Sequence, residues 1–210
     1  MKKVLSIVAA LLLCVGTQAQ IVSSRSSIVR TEKQQSNKQW FLRGGLNVMK
    51  MTGDDDESGS KLGYNFIYGF QKPMGSYWGM EFGLGSRGWG YSEDDYEISQ
   101  IAHNVQISPF TFGYKYNITN NIALDAHLGA YVSCDYLGKI TEKEDYNGKT
   151  EETTVKIGDW DDWKRFDAGM NIGVGIWYDR FNFDITYQRG FIKTWESNTS
   201  NVLIRLGVAF

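Results

Sequence analysis

Residues 202–210 decide the fold, and they read Val202-Leu203-Ile204-Arg205-Leu206-Gly207-Val208-Ala209-Phe210. Every second side chain is apolar, in the order Val202, Ile204, Leu206, Val208, Phe210. A period of two places these side chains on one face of a β-strand and the intervening residues on the other face. The pattern predicts an amphipathic strand that ends the chain on an aromatic ring.

The start of the chain has the composition of an export signal. Two lysines precede an apolar run over residues 4–15, and small side chains precede a cut at Gln20. We therefore expect residues 1–19 to be a signal peptide. Cys14 follows Leu13, where a lipoprotein signal needs a small residue, so the sequence disfavours lipidation. A terminal aromatic strand on an exported chain is typical of a barrel in an outer membrane.

Composition narrows the class of protein further. The formal net charge is −2 with no basic bias, which argues against nucleic acid as a partner. After the signal peptide only Cys134 remains, so no intramolecular disulfide is expected. No second apolar run reaches the ~18 residues of a spanning helix, and lipid then leaves only a closed barrel. Aromatics make up 14% of the chain, with 23 glycines and 2 prolines, a balance that favours twisted strands.

Beyond a polar lead at residues 20–39, which we expect to be flexible and periplasmic, segments of alternating polarity fill the chain. The predicted strands are residues 40–49, 62–71, 77–89, 101–116, 122–133, 166–178, 181–190 and 202–210. In the fourth, the apolar phase changes at Pro109, where a β-bulge would absorb one residue. Residues 40–210 are therefore predicted to form one barrel domain.

The connections between these segments alternate in length. Those at residues 50–61, 90–100, 134–165 and 191–201 are long and polar, whereas those at 72–76, 117–120 and 179–180 are tight. Short periplasmic turns and longer outside loops are the pattern of a membrane barrel. Within the third long connection, Asn147-Gly148 is a hairpin signal. It predicts that strands five and six continue as a ribbon beyond the membrane.

The apolar faces carry large side chains, such as Phe66, Phe82 and Phe183, whereas the other faces mix glycine with polar groups. Eight strands enclose a space just wide enough for side chains, so the bulky set must point outward into lipid. The fold class is therefore predicted as all-β, an eight-stranded antiparallel up-and-down transmembrane β-barrel with a closed, side-chain-filled lumen.

The predicted lumen holds a mixed set of charged side chains, namely Arg43, Glu81, Asp125, His127, Asp167, Asp184 and Arg205. Acids and bases are present in similar numbers, so paired ions and hydrogen bonds can satisfy them. We interpret this set as a structural plug, with a proton or ion pathway as the alternative. Aromatic rings near strand ends are predicted to form interfacial girdles, namely Trp40, Tyr77, Trp78, Trp89, Tyr91, Tyr114, Tyr116, Tyr178 and Trp195.

Several local motifs give the chain a resemblance to a known family. They are Asn104-Val105-Gln106-Ile107-Ser108-Pro109-Phe110, Phe166-Asp167-Ala168-Gly169, Gly173-Val174-Gly175, Tyr187-Gln188-Arg189-Gly190 and the closing Leu206-Gly207-Val208-Ala209-Phe210. From residue 40 to 210 the chain resembles the porin-like outer-membrane β-barrel domain family common in Bacteroidetes-type bacteria. The resemblance implies the fold and an outer-membrane location, and its motifs carry no catalytic residues.

Candidate chemistry is sparse. A lipid-modifying barrel enzyme needs a serine beside a histidine. His103 has no such serine near it, and Ser133 lies about 20 Å along the strand from His127. Residues 54–59 imitate the start of a calcium loop, but the place of its bidentate glutamate is Asn65, so a solvated acidic loop is favoured. We expect no metal, and we expect Trp160 and Trp163 to pack at the barrel rim or to offer a contact surface.

The sequence thus predicts an outer-membrane barrel with a structural or interaction role through its outside loops. It is predicted to be neither an open pore nor an enzyme, and to use no cofactor. Two alternatives are a lipid-modifying barrel enzyme and a soluble periplasmic barrel that binds an apolar ligand. Expected partners are outer-membrane lipid and lipopolysaccharide, a protein at the outside loops, and the barrel-assembly machinery, which would read Leu206, Val208 and Phe210 as a terminal signal.

Overall fold

The computed structural model describes residues 38–53, 58–72, 75–93, 96–146, 149–159, 164–194 and 196–210. The predicted signal peptide, nearly all of the polar lead and the acidic stretch 54–57 lie outside these residues. So do the turn residues Asn147 and Gly148, and Trp160, Trp163 and Trp195. None of the helical residues in the described part of the chain forms a segment able to span a membrane.

Nine antiparallel strands make up the described chain. They are β1 (Gln39–Thr52), β2 (Gly59–Gln71), β3 (Gly75–Glu93), β4 (Tyr96–Asn117), β5 (Ile122–Tyr146), β6 (Lys149–Lys156), β7 (Phe166–Tyr178), β8 (Phe181–Gly190) and β9 (Asn198–Ala209). A single 3-10 turn, Ile157–Asp159, follows β6.

Eight of these strands close into a ring. Neighbours pair in the order β4-β3-β2-β1-β9-β8-β7-β5, and a further ladder joins β4 to β5. The ring closes through β9, which pairs with β1 from Phe41↔Ala209 to Thr52↔Asn198. The predicted all-β, up-and-down barrel of eight strands is confirmed. We call its two ends the short-turn end, which holds the connections at 118–121 and 179–180, and the ribbon end.

The ninth strand belongs to the predicted ribbon. β5 has 25 residues. Its first half pairs with β7, as far as Cys134↔Phe166, and its second half pairs with β6, from Lys139↔Lys156 to Tyr146↔Lys149. The ribbon is therefore present, but its return arm is a separate strand. Ile157 explains the interruption, because it turns into an apolar cluster and is only 3% exposed.

The predicted long connections are shorter than expected at this end. β3 runs to Glu93 and β4 begins at Tyr96, so the second long connection is mostly paired strand. β1 and β2 likewise extend into the first one. The few apolar side chains of these extensions, such as Met51 and Ile98, are buried inside the barrel and the outward residues are polar. The outward apolar alternation therefore ends there, while the backbone ladder continues regardless of side-chain polarity.

The bulge predicted at Pro109 is confirmed. Ile107 pairs with Val132 and Phe110 pairs with Ala130, so two residues of β4 oppose one residue of β5. A second irregularity between His103 and Asn104 has no counterpart in the sequence expectations. The bulge at Pro109 keeps the apolar residues of β4 on the outer face, whereas the second one adds Tyr136 to β5, so that Tyr136 and Leu137 are both exposed.

The two faces of the strands differ sharply in exposure. Phe66 is 55% exposed and Phe82 48%, whereas Glu81 is 6% and Arg205 2% exposed. The bulky set lies outside, as the volume argument predicts. Among the described residues, five buried aromatic side chains nevertheless lie inside the barrel. The alternation in the sequence places Tyr131 on the inner face with Asp125 and His127, but it did not predict the other four, Phe41, Tyr77, Trp89 and Trp177.

Glycine makes room for three of these inward rings. In the strand ladders Phe41 lies opposite Gly69, Tyr77 opposite Gly113, and Tyr131 opposite Gly169. A Cβ at Gly69 would lie 2.7 Å from Phe41 Cζ, and one at Gly169 would lie 2.8 Å from Tyr131 Cε1. Large and small residues therefore alternate across the interior, as they must in a narrow barrel.

Tyr77 and Trp89 are consequently not part of an interfacial girdle. The exposed girdle rings lie at the short-turn end, namely Trp40, Trp78, Tyr114, Tyr116 and Tyr178. Trp40 stacks on Tyr68 at 5.3 Å between ring centroids and meets Phe70 edge-on at 5.2 Å. Amphipathic rings at one level of the outer surface fit a headgroup boundary.

Candidate functional site

The barrel interior concentrates the charged groups, and four of them form what we call the inner charge ring: Arg43, Glu81, Arg205 and Asp184. Arg43 Nη1 lies 3.2 Å from Glu81 Oε1 and 3.9 Å from Asp184 Oδ2. Arg205 Nε donates to Asp184 Oδ1 at 2.7 Å, and its Nη1 lies 4.0 Å from Glu81 Oε2. Two guanidinium groups and two carboxylates thus alternate and cancel in charge. Buried ions require such pairing.

His127 lies beside this ring between two carboxylates. Its Nδ1 is 3.5 Å from Asp125 Oδ1, and its Nε2 is 3.6 Å from Asp184 Oδ2. Asp125 also accepts hydrogen bonds from Tyr77 Oη at 2.6 Å and Trp177 Nε1 at 3.1 Å. Tyr77 lies on β3 and Asp184 on β8, and neither strand pairs with β5, which carries Asp125 and His127. These contacts therefore join strands that are not neighbours in the ring.

A second group of charges lies toward the ribbon end, and we call Arg87, Asp135 and Asp167 the outer cluster. Arg87 donates two hydrogen bonds to Asp135, from Nε to Oδ1 at 3.0 Å and from Nη2 to Oδ2 at 3.2 Å. Its Nη1 donates to Asp167 Oδ2 at 3.2 Å. Tyr131 Oη and Thr199 Oγ1 donate to the same Asp167 oxygen. Bidentate geometry of this kind is the strong form of an arginine–carboxylate pair.

Apolar side chains cover both ends of this polar column. Near the ribbon end a cluster forms from Met49, Met51, Trp89, Ile98, Ala102, Ile140 and Ile157. Near the short-turn end a second one forms from Phe41, Ile67, Ala123, Trp177 and Ala209. At that same end Lys115 Nζ lies 3.6 Å from the centre of the Trp177 ring and donates to Gln39 Oε1 at 3.2 Å.

Amide side chains occupy the level between the two charge groups. A cavity of about 20 Å³ is lined by several of them, including Asn47, Asn65, Asn104 and Asn201. Both side-chain polar atoms of Asn65 and Oδ1 of Asn47 are buried without a protein partner. A polar cavity of this size holds about one water molecule, which can bond to such groups.

All seven charged residues singled out from the sequence have buried side chains inside the barrel. Six of them, Arg43, Glu81, Asp125, His127, Asp184 and Arg205, come together around the inner charge ring. Asp167 stands apart in the outer cluster. The sequence reasoning missed Arg87, Asp135 and Lys115. Gly83, Gly85 and Arg87 are two residues apart in β3, so the alternation of faces in the sequence could have placed Arg87 inside the barrel.

One hydroxyl approaches His127 in the arrangement of a nucleophile and base. Thr186 Oγ1 lies 3.2 Å from His127 Nε2, and Asp125 lies on the other side of the imidazole. The same hydroxyl oxygen contacts Arg205 Nη2 at 2.6 Å and donates to Asp184 Oδ1 at 3.0 Å. Thr186 is 2% exposed. His103 instead faces outward, with Nδ1 3.1 Å from Tyr64 Oη.

The closing strand presents Leu206, Val208 and Phe210 on its outer face, with Leu206 68% and Phe210 60% exposed. The Phe210 amide donates to the Trp40 carbonyl at 2.9 Å, and the Phe210 ring stacks on Tyr68 with centroids 6.4 Å apart. The end of the chain is thus joined to its first strand by the backbone and by rings.

Metal ligation finds no support in the described part of the chain, where no three acidic, histidine or cysteine side chains gather into a site. Of the acidic residues in the outer connections, residues 54–57 and Asp94 and Asp95 lie outside the described part of the chain. Glu97, which is described, is paired with Lys143 at 3.6 Å.

Several solved outer-membrane proteins are similar to this chain. No curated protein matches the sequence. Among solved structures, Ail of Yersinia pestis, crystallised with the heparin analogue sucrose octasulfate, is similar at 16% identity and a TM-score of 0.45, covering 83% of this chain and 99% of Ail. OprG of Pseudomonas aeruginosa is similar at 9% identity and a TM-score of 0.38, over 82% and 95% of the two chains.

A third similar structure is Neisserial surface protein A, at 14% identity and a TM-score of 0.34, over 81% of this chain and 95% of that one. The family model described as outer membrane protein beta-barrel domain matches residues 18–196. An outer-membrane location rules out the soluble periplasmic barrel considered from the sequence. The chain belongs to the outer membrane protein β-barrel domain family and lies in the outer membrane.

Proposed function

We propose that this protein is a closed, non-conducting outer-membrane barrel that acts as a scaffold, with a structural or interaction role through its outside hairpins. The observation that carries the proposal is the inner charge ring, in which Arg43 and Arg205 are held by Glu81 and Asp184. A neutral, mutually paired ring leaves no uncompensated charge to attract a permeating ion.

The layers above and below the ring support the same proposal. An ion moving along the axis would meet apolar side chains at both ends, including Trp89 near the ribbon end and Trp177 near the other. Dehydrating an ion at such a layer is costly. Between the layers, the cavity at Asn47 and Asn65 has room for about one water molecule. An eight-stranded barrel is itself too narrow for an aqueous channel.

The outside hairpins are the accessible part of the protein. The ribbon of β5 and β6 extends past the last lipid-facing side chain of β5, Leu137, through pairs Lys139↔Lys156 to Tyr146↔Lys149. Its outward faces carry charged and threonine side chains, which suit a reversible contact with another protein. We propose this ribbon as the contact surface for a protein partner.

Turnover and cofactors form no part of the proposed role. The one hydroxyl near His127 among the described residues, that of Thr186, is bonded to Arg205 and Asp184 and is buried in the barrel interior. A nucleophile needs a free path to the reacting atom. The lipid-modifying enzyme is therefore the weaker candidate.

We further propose that Leu206, Val208 and Phe210 serve as the recognition signal for the barrel-assembly machinery. The outward position of all three residues and the high exposure of Leu206 and Phe210 support this role, because an assembly factor needs access to the side chains that it recognises.

Two measurements on the full mature protein test the proposed scaffold. In planar bilayers, the purified protein should give no stepwise conductance under conditions in which a sixteen-stranded porin does. On intact cells, trypsin should cut within residues 142–156, and heat-modifiable gel migration should show that the cut barrel remains folded. Stable conductance steps would contradict a closed lumen, and protection of the ribbon on intact cells would contradict an outside contact surface.

A further inference from the structure

The outer surface carries an unusual pair of lysines where the ribbon leaves the barrel. Lys139 of β5 and Lys156 of β6 are directly opposite in the ladder. Both are exposed, while the residues that follow them in the chain, Ile140 of β5 and Ile157 of the 3-10 turn, are buried in the apolar cluster. The two lysine side chains therefore share the outward face. Opposite residues have Cβ atoms about 5 Å apart, and like charges at this distance are destabilising.

In two other rows of the same face, the opposite residues carry opposite charges or hydroxyl groups. Farther from the barrel, Lys143 lies between Glu97 and Glu152 in the ladders, and its Nζ is 3.6 Å from Glu97 Oε2. In the row between, Thr141 and Thr154 share a hydrogen bond at 3.3 Å. By contrast, the row of Lys139 and Lys156 continues into Ile101. Among the described residues, no ion pair involves either lysine.

The position of the two lysines along the barrel axis indicates their surroundings. The next outward residue below Lys139 is Leu137, which is 61% exposed, and its neighbour Ile101 is 42% exposed. These belong to the apolar surface that meets hydrocarbon. Hydroxyl groups of Thr141 and Thr154 lie immediately above. The lysines thus stand at the boundary between the hydrocarbon and the water, the level of lipid headgroups.

A third lysine approaches the same patch. Lys61 of β2 reaches over Gly90 of β3 and donates a short hydrogen bond to Ser99 of β4. Ser99 pairs with Thr141, in the row directly above Ile101 and Lys139. A Cβ at position 90 would lie 3.0 Å from Lys61 Cε, so the glycine provides the passage for this side chain. Three strands therefore direct ammonium groups to one outward patch.

We propose that Lys139 and Lys156, with Lys61 beside them, bind the phosphate groups of a glycolipid of the outer leaflet. The phosphate groups supply the negative charge that neither lysine finds in the ladder. The acyl chains of the same glycolipid lie on Leu137 and Ile101. Nearby hydroxyls of Thr141 and Thr154 can donate to phosphate oxygens. This lipid site is independent of the closed lumen and of any partner at the ribbon tip.

The test compares lipid retention by the purified full-length mature protein, using lipid A as the probe and native mass spectrometry as the readout. The double variant Lys139→Gln/Lys156→Gln removes both charges and keeps the side-chain length similar. Its lipid A affinity should fall by about 30-fold, since each lysine near an anionic surface contributes about fivefold. The single variants should each lose about fivefold. Lys143→Gln is the matched control and should retain wild-type affinity.

Two further arms identify the ligand. Lipid A from which the phosphates have been removed should bind the wild type as weakly as ordinary lipid A binds the double variant. Inorganic phosphate at the same phosphate concentration should not displace lipid A. Heat-modifiable migration checks that every variant is folded. The proposal is wrong if the double variant keeps wild-type affinity, if Lys143→Gln loses as much, if dephosphorylated lipid A binds equally well, or if free phosphate competes equally.

Discussion

Tyr77 of β3 lies directly opposite Gly113 of β4, and its ring fills the space that any side chain at position 113 would occupy. From that position Tyr77 Oη donates to Asp125 at 2.6 Å. The glycine thus determines where the tyrosine ring lies, and the ring in turn holds the carboxylate that flanks His127. Packing and the polar interior are therefore coupled through one cross-strand pair.

Replacement of this glycine tests the coupling. Gly113→Ala should cost about 1–3 kcal/mol in the free energy of unfolding, because the new methyl group overlaps the Tyr77 ring. Urea unfolding from lipid vesicles measures the change. Gly83→Ala is the control, since its Cβ would lie 3.5 Å from Ile67 Cγ1, an ordinary contact. Equal losses for the two variants would contradict the assigned packing.

The inner charge ring makes a second prediction. Arg205→Met should destabilise the barrel by about 3–5 kcal/mol, because Glu81 and Asp184 then remain buried with too little positive charge. The triple variant Arg205→Met/Asp184→Leu/Thr186→Val should recover part of this loss, because it also removes the stranded carboxylate. Unfolding in urea provides both values. A loss below about 1 kcal/mol for Arg205→Met would show that the ring does not hold the strands together.

The ring at the end of the chain should matter for assembly more than for the folded state. Phe210→Ala removes the stack on Tyr68, and we expect a several-fold lower yield of heat-modifiable barrel in cells, with little change in urea stability of the barrel that does fold. Phe181→Ala is the control, since Phe181 is also exposed at the short-turn end. Equal yields for the two variants would argue against an assembly signal at Phe210.

Hydrogen exchange should divide β5 into two parts. Amides of residues 122–134 lie within the closed ring, whereas residues 141–144 pair with β4 and β6 beyond the lipid-facing surface, and β6 pairs with β5 alone among the described strands. Exchange in vesicles should therefore be much faster in residues 141–146 and in β6. Mass spectrometry of exchanged peptides measures this difference. Uniform protection along β5 would mean that the ribbon is covered by lipid or by another chain.

The sequence located the strands where one face meets lipid along their whole length. β7 and β8 match their predicted bounds because alternation runs through both strands, and Asp179 turns between them with φ of 51°. β3, β4 and β5 were predicted too short. Beyond the lipid-facing segments the outward residues are polar, and apolar residues such as Ile98 and Ile140 are buried instead, so the outward alternation used to predict the strands stops. Asp135 was therefore treated as loop, and the outer cluster was not predicted.

The interior could be predicted by face but not by contact. The alternation of faces along each strand placed Arg43, Glu81 and Arg205 inside the barrel. It gave no information about which carboxylate each arginine contacts. That depends on register across several strands, as in the pairing of Arg205 with both Gly45 and Asp184. The inward rings depend on register too, because Tyr77 and Tyr131 fit only where glycine lies opposite.

Spin labelling tests the orientation of the strands most directly. In a protein with Cys134 replaced by serine, nitroxides are attached one at a time to cysteines at positions 80–85 of β3 and compared in lipid vesicles. Labels at 80, 82 and 84 should relax rapidly with oxygen and weakly with a water-soluble nickel reagent, whereas those at 81, 83 and 85 should respond weakly to oxygen. Loss of this period of two, or its inversion, would contradict a barrel whose rings face hydrocarbon and whose charges face inward.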